Sequence, residues 1–80
     1  MKPDFFKIGN KVKLARVEKD LTQTQLAEAV GVTRQTIGLI EAGRYNPTLK
    51  LCLLIARALG KTLDQLFWVE EGKDEKENDR

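Results

Sequence analysis

The chain has 80 residues, of which 41% are hydrophobic and 32% charged, and this balance is typical of one small soluble domain. It contains one cysteine and no histidine, which excludes an internal disulfide and removes the usual transition-metal ligands. No apolar run approaches the roughly 18 residues of a membrane span, and the N-terminus lacks the features of a signal peptide. We therefore expect a cytoplasmic protein that uses neither a metal nor another cofactor.

The net charge of +2 is unevenly distributed along the chain. Residues 1–68 contain 11 basic and 6 acidic residues, whereas residues 69–80 contain 3 basic and 6 acidic ones. We therefore predict a moderately basic domain over residues 1–69 and an acidic, disordered tail over residues 70–80. A basic domain is compatible with nucleic acid, although this charge alone does not identify the partner.

Apolar residues at helical spacing predict three helices in the first half of the chain. The first covers residues 8–19, with Ile8 on its apolar face, and ends at Asp20. Residues 23–30 form the second helix and residues 33–42 the third. Thr22 is the N-cap of the second helix and Thr33 that of the third. Gly31 and Gly43 follow the second and third helices, where positive φ is needed.

Two further helices and two β-prone segments are predicted around them. Thr48 caps a fourth helix, which ends at Gly60, and Thr62 caps a short fifth helix over residues 63–67. The predicted core stripe of the fourth helix is Leu49, Cys52, Ile55, Ala56 and Leu59, with Leu54 exposed on the opposite face. Residues 5–8 and 67–69 are β-prone, and they could pair with each other or meet a second subunit.

Residues 23–42 read as two short helices joined by a tight turn, which is the pattern of a DNA-binding helix-turn-helix. The second of these helices carries Arg34, Gln35 and Thr36 near its N-terminus, and such side chains bond base edges in a major groove. Gly38 lies inside the same helix and weakens it by roughly 0.5–1 kcal/mol relative to alanine. That glycine either lets the helix approach DNA closely or is merely tolerated.

With these motifs the chain resembles the phage repressor and Cro-type helix-turn-helix proteins, also called the XRE family. The resemblance covers about three quarters of the chain. It rests on Arg16, LTQ at 21–23, LA at 26–27, GVTRQTI at 31–37, IEAG at 40–43, NP at 46–47 and LDQLF at 63–67. It implies an all-α, five-helix lambda-repressor-like DNA-binding domain. Asp20 departs from the family pattern, where a glycine is common, and Leu54 replaces a residue that is usually polar.

The resemblance also implies roles for individual side chains. Family positions for base contacts are occupied here by Arg34, Gln35 and Leu39, and those for contacts to the DNA backbone by Gln23, Thr33, Thr36, Arg44, Tyr45 and Asn46. Arg16 and Glu41 match a pair that forms a structural salt bridge in the family. Members typically bind operator DNA as dimers, and our candidates for a dimer interface are Leu54, Phe67, Trp68 and Val69.

The leading functional hypothesis is a dimeric, sequence-specific transcription regulator, with repression favoured because blocking a promoter requires no additional domain. The alternative is an antitoxin-type interaction module that neutralises a protein partner and regulates its own operon. In that alternative the acidic tail could bind the partner. An enzyme is not indicated because the chain has no histidine, no phosphate-binding glycine loop and no acidic pair in a predicted cleft. No separate domain is present to bind a small-molecule effector.

Overall fold

A computed structural model describes the backbone of residues 6–71 and the side chains of residues 8–70, and this part of the chain contains five helices and two strands. No helix in this range is both long and apolar enough to cross a membrane. In chain order the elements are β1 (Phe6–Asn10), α1 (Val12–Glu18), α2 (Gln23–Val30), α3 (Arg34–Glu41), α4 (Leu49–Leu59), α5 (Leu63–Leu66) and β2 (Phe67–Glu71).

The predicted helix-turn-helix is present as α2 and α3, and local hydrogen bonds define its helix ends. Thr22 Oγ1 accepts a hydrogen bond from Gln25 N, and Gln25 Oε1 accepts one from Thr22 N, which together form a capping box. Gly31 ends α2 with φ +80°, a backbone conformation that glycine adopts at no steric cost. Thr33 Oγ1 then accepts from Thr36 N and starts α3. The sequence prediction for these two helices is therefore confirmed.

The first predicted helix is wrong at its start, because residues 8–10 belong to β1 and α1 begins only at Val12. Asn10 turns the chain between the two elements. Its Oδ1 accepts from Val12 N at 3.0 Å, and its Nδ2 donates to Ile40 O at 2.9 Å. The apolar spacing of Ile8 with Val12 is compatible with a helix, but residues 8–10 pair with residues 67–69 of the second strand instead. Asp20 adopts φ +58° after the helix, as a helix terminator does.

The predicted core stripe of α4 is correct at its centre and wrong at its beginning. Ile55, Ala56 and Leu59 are buried as predicted. Leu49 is instead 65% exposed, and Leu51, at 8%, occupies the core position near the start of the helix. Leu51, Ile55 and Leu59 are four residues apart and so lie on one side of the helix. The core stripe therefore begins at Leu51, two residues later than predicted, and Leu49 lies outside it.

Three other side chains of α4 refine the predicted pattern. Leu54 is half-buried and packs against the core rather than lying exposed, whereas Leu53 is exposed. Cys52 is also half-buried, with its Sγ 3.9 Å from the carbonyl oxygen of Pro47. Burial raises the pKa of the Cys52 thiol, which further disfavours the reactive thiolate.

The core lies between the helices, and every helix contributes at least one buried side chain. α2 packs against both α3 and α4, and α1 touches the same two helices. The helix-turn-helix formed by α2 and α3 is therefore supported on its buried side by α1 and α4. The buried apolar residues are Val12, Ala15, Leu26, Ala27, Val30, Ile37, Ile40, Leu51, Ile55, Ala56, Leu59 and Leu66.

The β-prone segments pair with each other in an antiparallel two-stranded sheet, which was one of the two predicted alternatives. Opposite residues include Ile8 with Val69 and Gly9 with Trp68. A Cβ atom on Gly9 would lie 2.5 Å from the Trp68 indole, so the ring packs directly over the glycine. β2 continues through residues 70 and 71, the first two of the predicted acidic tail. The remainder of that tail lies outside the described residues.

Candidate nucleic-acid interface

α3 presents a polar face to solvent while its opposite face is buried in the core. Ile37 and Ile40 are at most 1% exposed and attach the helix to the domain. Arg34, Gln35 and Leu39 lie on the exposed side, with Leu39 38% exposed. The three residues predicted to contact bases therefore share one accessible face. We refer to α3 as the recognition helix from here on.

Gln23, at the first turn of α2, lies next to the start of the recognition helix. Arg34 Nη1 donates a hydrogen bond to Gln23 Oε1 at 3.0 Å. One of the predicted backbone-contacting residues is thus joined to one of the predicted base-contacting residues. An amide that bonds Arg34 restricts where the guanidinium can lie relative to the helix.

The predicted ion pair between α1 and the recognition helix is present in the structure. Arg16 Nε lies 2.7 Å from Glu41 Oε2, and the two side chains are only 11% and 5% exposed. Arg16 Nη1 also donates to the Leu21 carbonyl oxygen at 2.8 Å. Since both charges are buried, the geometry they hold matters more than any net stabilisation from the pair.

Glu41 has a further partner that the sequence did not indicate. Gln23 Nε2 donates to Glu41 Oε1 at 3.0 Å, so the amide of Gln23 lies between the buried carboxylate and Arg34. Gln23 and Glu41 are 18 positions apart. No local spacing rule pairs residues at that separation, and only the packing of α2 on α3 brings them together.

The remaining predicted backbone-contacting residues lie at the two ends of the recognition helix. Thr33 and Thr36 lie at its start, where their hydroxyl oxygens are 3.1 Å apart and Thr33 also caps the helix. Beyond its end, Arg44, Tyr45 and Asn46 are all exposed, and Arg44 N donates to the Leu39 carbonyl oxygen. That bond joins the start of the loop to the last turn of the recognition helix.

The predicted dimer-interface residues differ in how far they are available to a partner. Leu54 and Phe67 are half-buried against their own core, and Trp68 covers Gly9. Val69, by contrast, is 63% exposed, and the opposite residue Ile8 is 39% exposed. Both line a groove of about 400 Å³ together with Leu63, Asp64, Phe67 and Trp68.

Among the described residues, no cluster of three or more cysteine, aspartate or glutamate side chains has the arrangement that would hold a metal ion.

Comparisons with known proteins agree with this geometry. A family model described as helix-turn-helix (HTH_3) matches residues 12–66. The HTH-type transcriptional regulator YgzD of Bacillus subtilis (strain 168) is 47% identical over 62 residues, which are 78% of this chain and 94% of that protein. The immunity repressor protein of Bacillus phage phi105 is 43% identical over 53 residues, which are 66% of this chain and 37% of the repressor.

A solved structure with the same helical arrangement is that of the restriction-modification controller protein C.AhdI from Aeromonas hydrophila. It superimposes with a TM-score of 0.64 at 31% identity and covers 68% of this chain and 82% of its own. The family model spans all five helices, and YgzD is similar over nearly its whole length. The chain belongs to the XRE type of the helix-turn-helix family of DNA-binding transcriptional regulators.

Proposed function

We propose that this regulator is a homodimeric repressor that binds a palindromic operator, with the recognition helix of each subunit in a major groove. The observation that carries the proposal is the exposed face of that helix, where Arg34, Gln35 and Leu39 project from a rigidly packed support. Neither packing nor capping of α3 requires these residue types. The similarity to a phage immunity repressor supports repression as the outcome of binding.

Each exposed side chain matches a feature of the base pairs. Arginine can donate two hydrogen bonds to guanine O6 and N7, glutamine can bond adenine N6 and N7, and leucine can pack against a thymine methyl group. We assign these three contacts to Arg34, Gln35 and Leu39. Contacts to phosphates would then fix the register of the helix and contribute most of the salt dependence. We assign these contacts to Gln23, Thr33, Thr36, Arg44, Tyr45 and Asn46.

A dimer is proposed because one recognition helix reads few base pairs. Two copies related by a twofold axis would read half-sites about 34 Å apart, one turn of the double helix. The pair of Val69 and Ile8 is an exposed apolar surface at the predicted interface. Leu54, Phe67 and Trp68 would support that surface from within the subunit.

We place this activity in the cytoplasm and assign no catalytic activity to the chain.

Selection of bound sequences from random double-stranded DNA tests the proposal directly. We expect enrichment of a palindrome with a fixed half-site spacing, together with a dimer mass in sedimentation of the complex. Enrichment of a single half-site would contradict the dimer, and no enrichment at all would contradict the sequence-specific regulator. A co-purifying protein partner lost on deletion of residues 72–80 would instead favour the antitoxin alternative.

Replacing Arg34 with alanine tests the main base contact. We expect R34A to weaken binding to the selected operator by about 1–3 kcal/mol and to relax the preference at one base pair of each half-site. Quantitative competition with operators changed at single positions measures both effects. R57A is the matched control, since Arg57 is an exposed arginine on α4 with no proposed base contact. An equal loss on operator and random DNA would contradict a base-reading role for Arg34.

A further inference from the structure

The recognition helix is connected to the buried ion pair by an uninterrupted chain of hydrogen bonds. Glu41 Oε2 accepts from Arg16 Nε at 2.7 Å, and Glu41 Oε1 accepts from Gln23 Nε2 at 3.0 Å. Gln23 Oε1 in turn accepts from Arg34 Nη1 at 3.0 Å. This series of hydrogen bonds runs from a carboxylate that is 5% exposed to an arginine on the exposed face of the domain.

The chemistry of the two charged groups leaves the Gln23 amide one favourable orientation. A carboxylate can only accept hydrogen bonds and a guanidinium can only donate them. The amide nitrogen must therefore face Glu41, and the amide oxygen must face Arg34. Turning the amide over would place two acceptors against each other at Glu41 and two donors against each other at Arg34.

The same series of hydrogen bonds leaves donors free on the side of the domain that would face DNA. A glutamine amide nitrogen carries two hydrogens, and Gln23 uses one of them on Glu41. Arg34 makes one hydrogen bond, to Gln23, among the described side chains, and a guanidinium has five N–H groups. A second amide N–H and an edge of the guanidinium thus remain for a phosphate and a base.

We propose that Glu41 is a specificity-determining positioning residue, which holds the Gln23 amide in the orientation that accepts from Arg34 and thereby sets the base preference of Arg34 without touching DNA. This inference rests on the proposed function, because it concerns the base that Arg34 reads. It gives Glu41 a second role beyond the ion pair that links α1 to α3. Arg16 pairs with the carboxylate from α1, and the separate hydrogen bond from Gln23 connects the carboxylate to the recognition helix.

The test compares E41Q with R16K on the operator selected by the unaltered protein. In E41Q the side chain keeps its shape, but Arg16 only donates and so draws the new amide oxygen towards itself. The new NH₂ group then faces the NH₂ group of Gln23 and opposes the orientation in which Gln23 accepts from Arg34. We expect the preference at the base pair read by Arg34 to fall about 3- to 10-fold, part of the discrimination that one bidentate contact provides. The preference at the pair read by Gln35 should stay within about twofold, the scatter of such measurements.

R16K is the matched control because it weakens the same ion pair from the other side and leaves the carboxylate facing Gln23. We expect R16K to lower the melting temperature and to retain the base preference. Equal relaxation in both variants would show that the pair only maintains the fold, and an unchanged preference in E41Q would overturn the inference. No enrichment by the unaltered protein would instead be a failure of the proposed function, so the two failures are distinguishable.

Q23M provides a second arm that leaves the buried ion pair intact. The variant removes both hydrogen bonds of the amide. Q25M on the same helix, which loses the capping-box bond from Thr22 N, is the control for a loss of helix stability without a change at Glu41 or Arg34. If Gln23 only contacts a phosphate, Q23M will weaken binding to all sequences equally. If Gln23 transmits the position of Glu41, the preference at the Arg34 base pair will fall as in E41Q. A uniform loss would overturn the inference even if E41Q does not fold, because Glu41 reaches Arg34 only through Gln23.

The side-chain amide of Gln23 can also be followed directly in the free protein by NMR. We expect its two NH₂ proton resonances to be well separated and slow to exchange in the unaltered chain and in R16K. In E41Q they should move towards the values of an exposed glutamine. Resonances that are already those of an exposed glutamine in the unaltered chain would overturn the inference.

Discussion

The helix-turn-helix and the two-stranded sheet are held in place by different means. In the helix-turn-helix, Leu26 and Ile37 are fully buried, and each helix begins with its own threonine cap. In the sheet, Ile8 and Val69 lie opposite each other yet remain 39% and 63% exposed. One region is thus stabilised by burial and local capping, and the other mainly by pairing between the two ends of the domain.

The difference indicates which region depends on the other. An isolated two-stranded sheet is at best marginally stable in water. Here the sheet is attached to the helices through Lys11 N, which donates to the Leu66 carbonyl oxygen, and through Phe67, which packs against the core. Among the side-chain hydrogen bonds of residues 8–70, the one that joins the sheet to the helix-turn-helix runs from Asn10 to Ile40. We infer that the sheet can be loosened without loss of the recognition helix, whereas the reverse does not hold.

Removing a core side chain of the recognition helix should have the largest effect. I37A deletes most of a side chain that is 0% exposed, and such changes cost about 2–5 kcal/mol of unfolding free energy. Urea unfolding followed by circular dichroism measures the loss. V69A is the control from the sheet, and its cost should stay below about 1 kcal/mol because the valine is largely exposed. Equal losses would mean that the sheet stabilises the domain as strongly as the core.

Adding a methyl group to the sheet glycine should have an intermediate effect. In G9A the new Cβ would lie 2.5 Å from the Trp68 indole and 2.6 Å from the Glu70 carboxylate. Because these distances are too short for a van der Waals contact, the indole must move. Overpacking of this kind costs roughly 1–3 kcal/mol. We expect the tryptophan fluorescence to shift to longer wavelength while the helical circular dichroism signal is retained. A parallel loss of helical signal in native buffer would contradict the independence of the recognition helix from the sheet.

The two regions also differ in how far the sequence predicts them. The threonine caps and Gly31 act within a few residues of their own helices, so α2 and α3 could be predicted with nearly their observed bounds. Asn10 acts through Ile40, 30 positions away, and no local pattern reveals that bond. The strand at residues 8–10 likewise depends on pairing with residues 67–69 near the other end of the domain, so local spacing predicts a helix there.

The same distinction applies within the candidate interface. Helical spacing predicts which residues lie on the exposed face of α3, because Ile37 and Ile40 mark the side that is buried. The ion pair of Arg16 with Glu41 followed from the family resemblance. The bond from Gln23 to Glu41 depends on how closely α2 approaches α3, and that distance is set by side-chain packing across the whole motif. A pattern in one segment does not contain this information.

The smallest expected effect, and one of opposite sign, concerns the glycine inside the recognition helix. A Cβ on Gly38 would be 3.8 Å from Gln23 Nε2, an ordinary van der Waals contact, so the free protein has room for alanine. G38A should therefore raise the unfolding free energy by about 0.5–1 kcal/mol, in contrast to G9A, because glycine costs that much inside a helix. Urea unfolding measures this gain.

Operator binding by G38A then distinguishes the two explanations for the glycine. Unchanged affinity would show that Gly38 is merely tolerated, since the added methyl group meets nothing on the DNA. Reduced affinity in a more stable protein would show that the helix approaches the groove too closely for a side chain at this position. Because the new methyl group also lies beside the Gln23 amide, its effect on the base preference of Arg34 should be measured with the same operators as for E41Q. If G38A is more stable and its base preference at Arg34 is unchanged, the Gln23 amide keeps its orientation when a methyl group fills the space beside it. This result is expected if Glu41, and not the free space, determines that orientation.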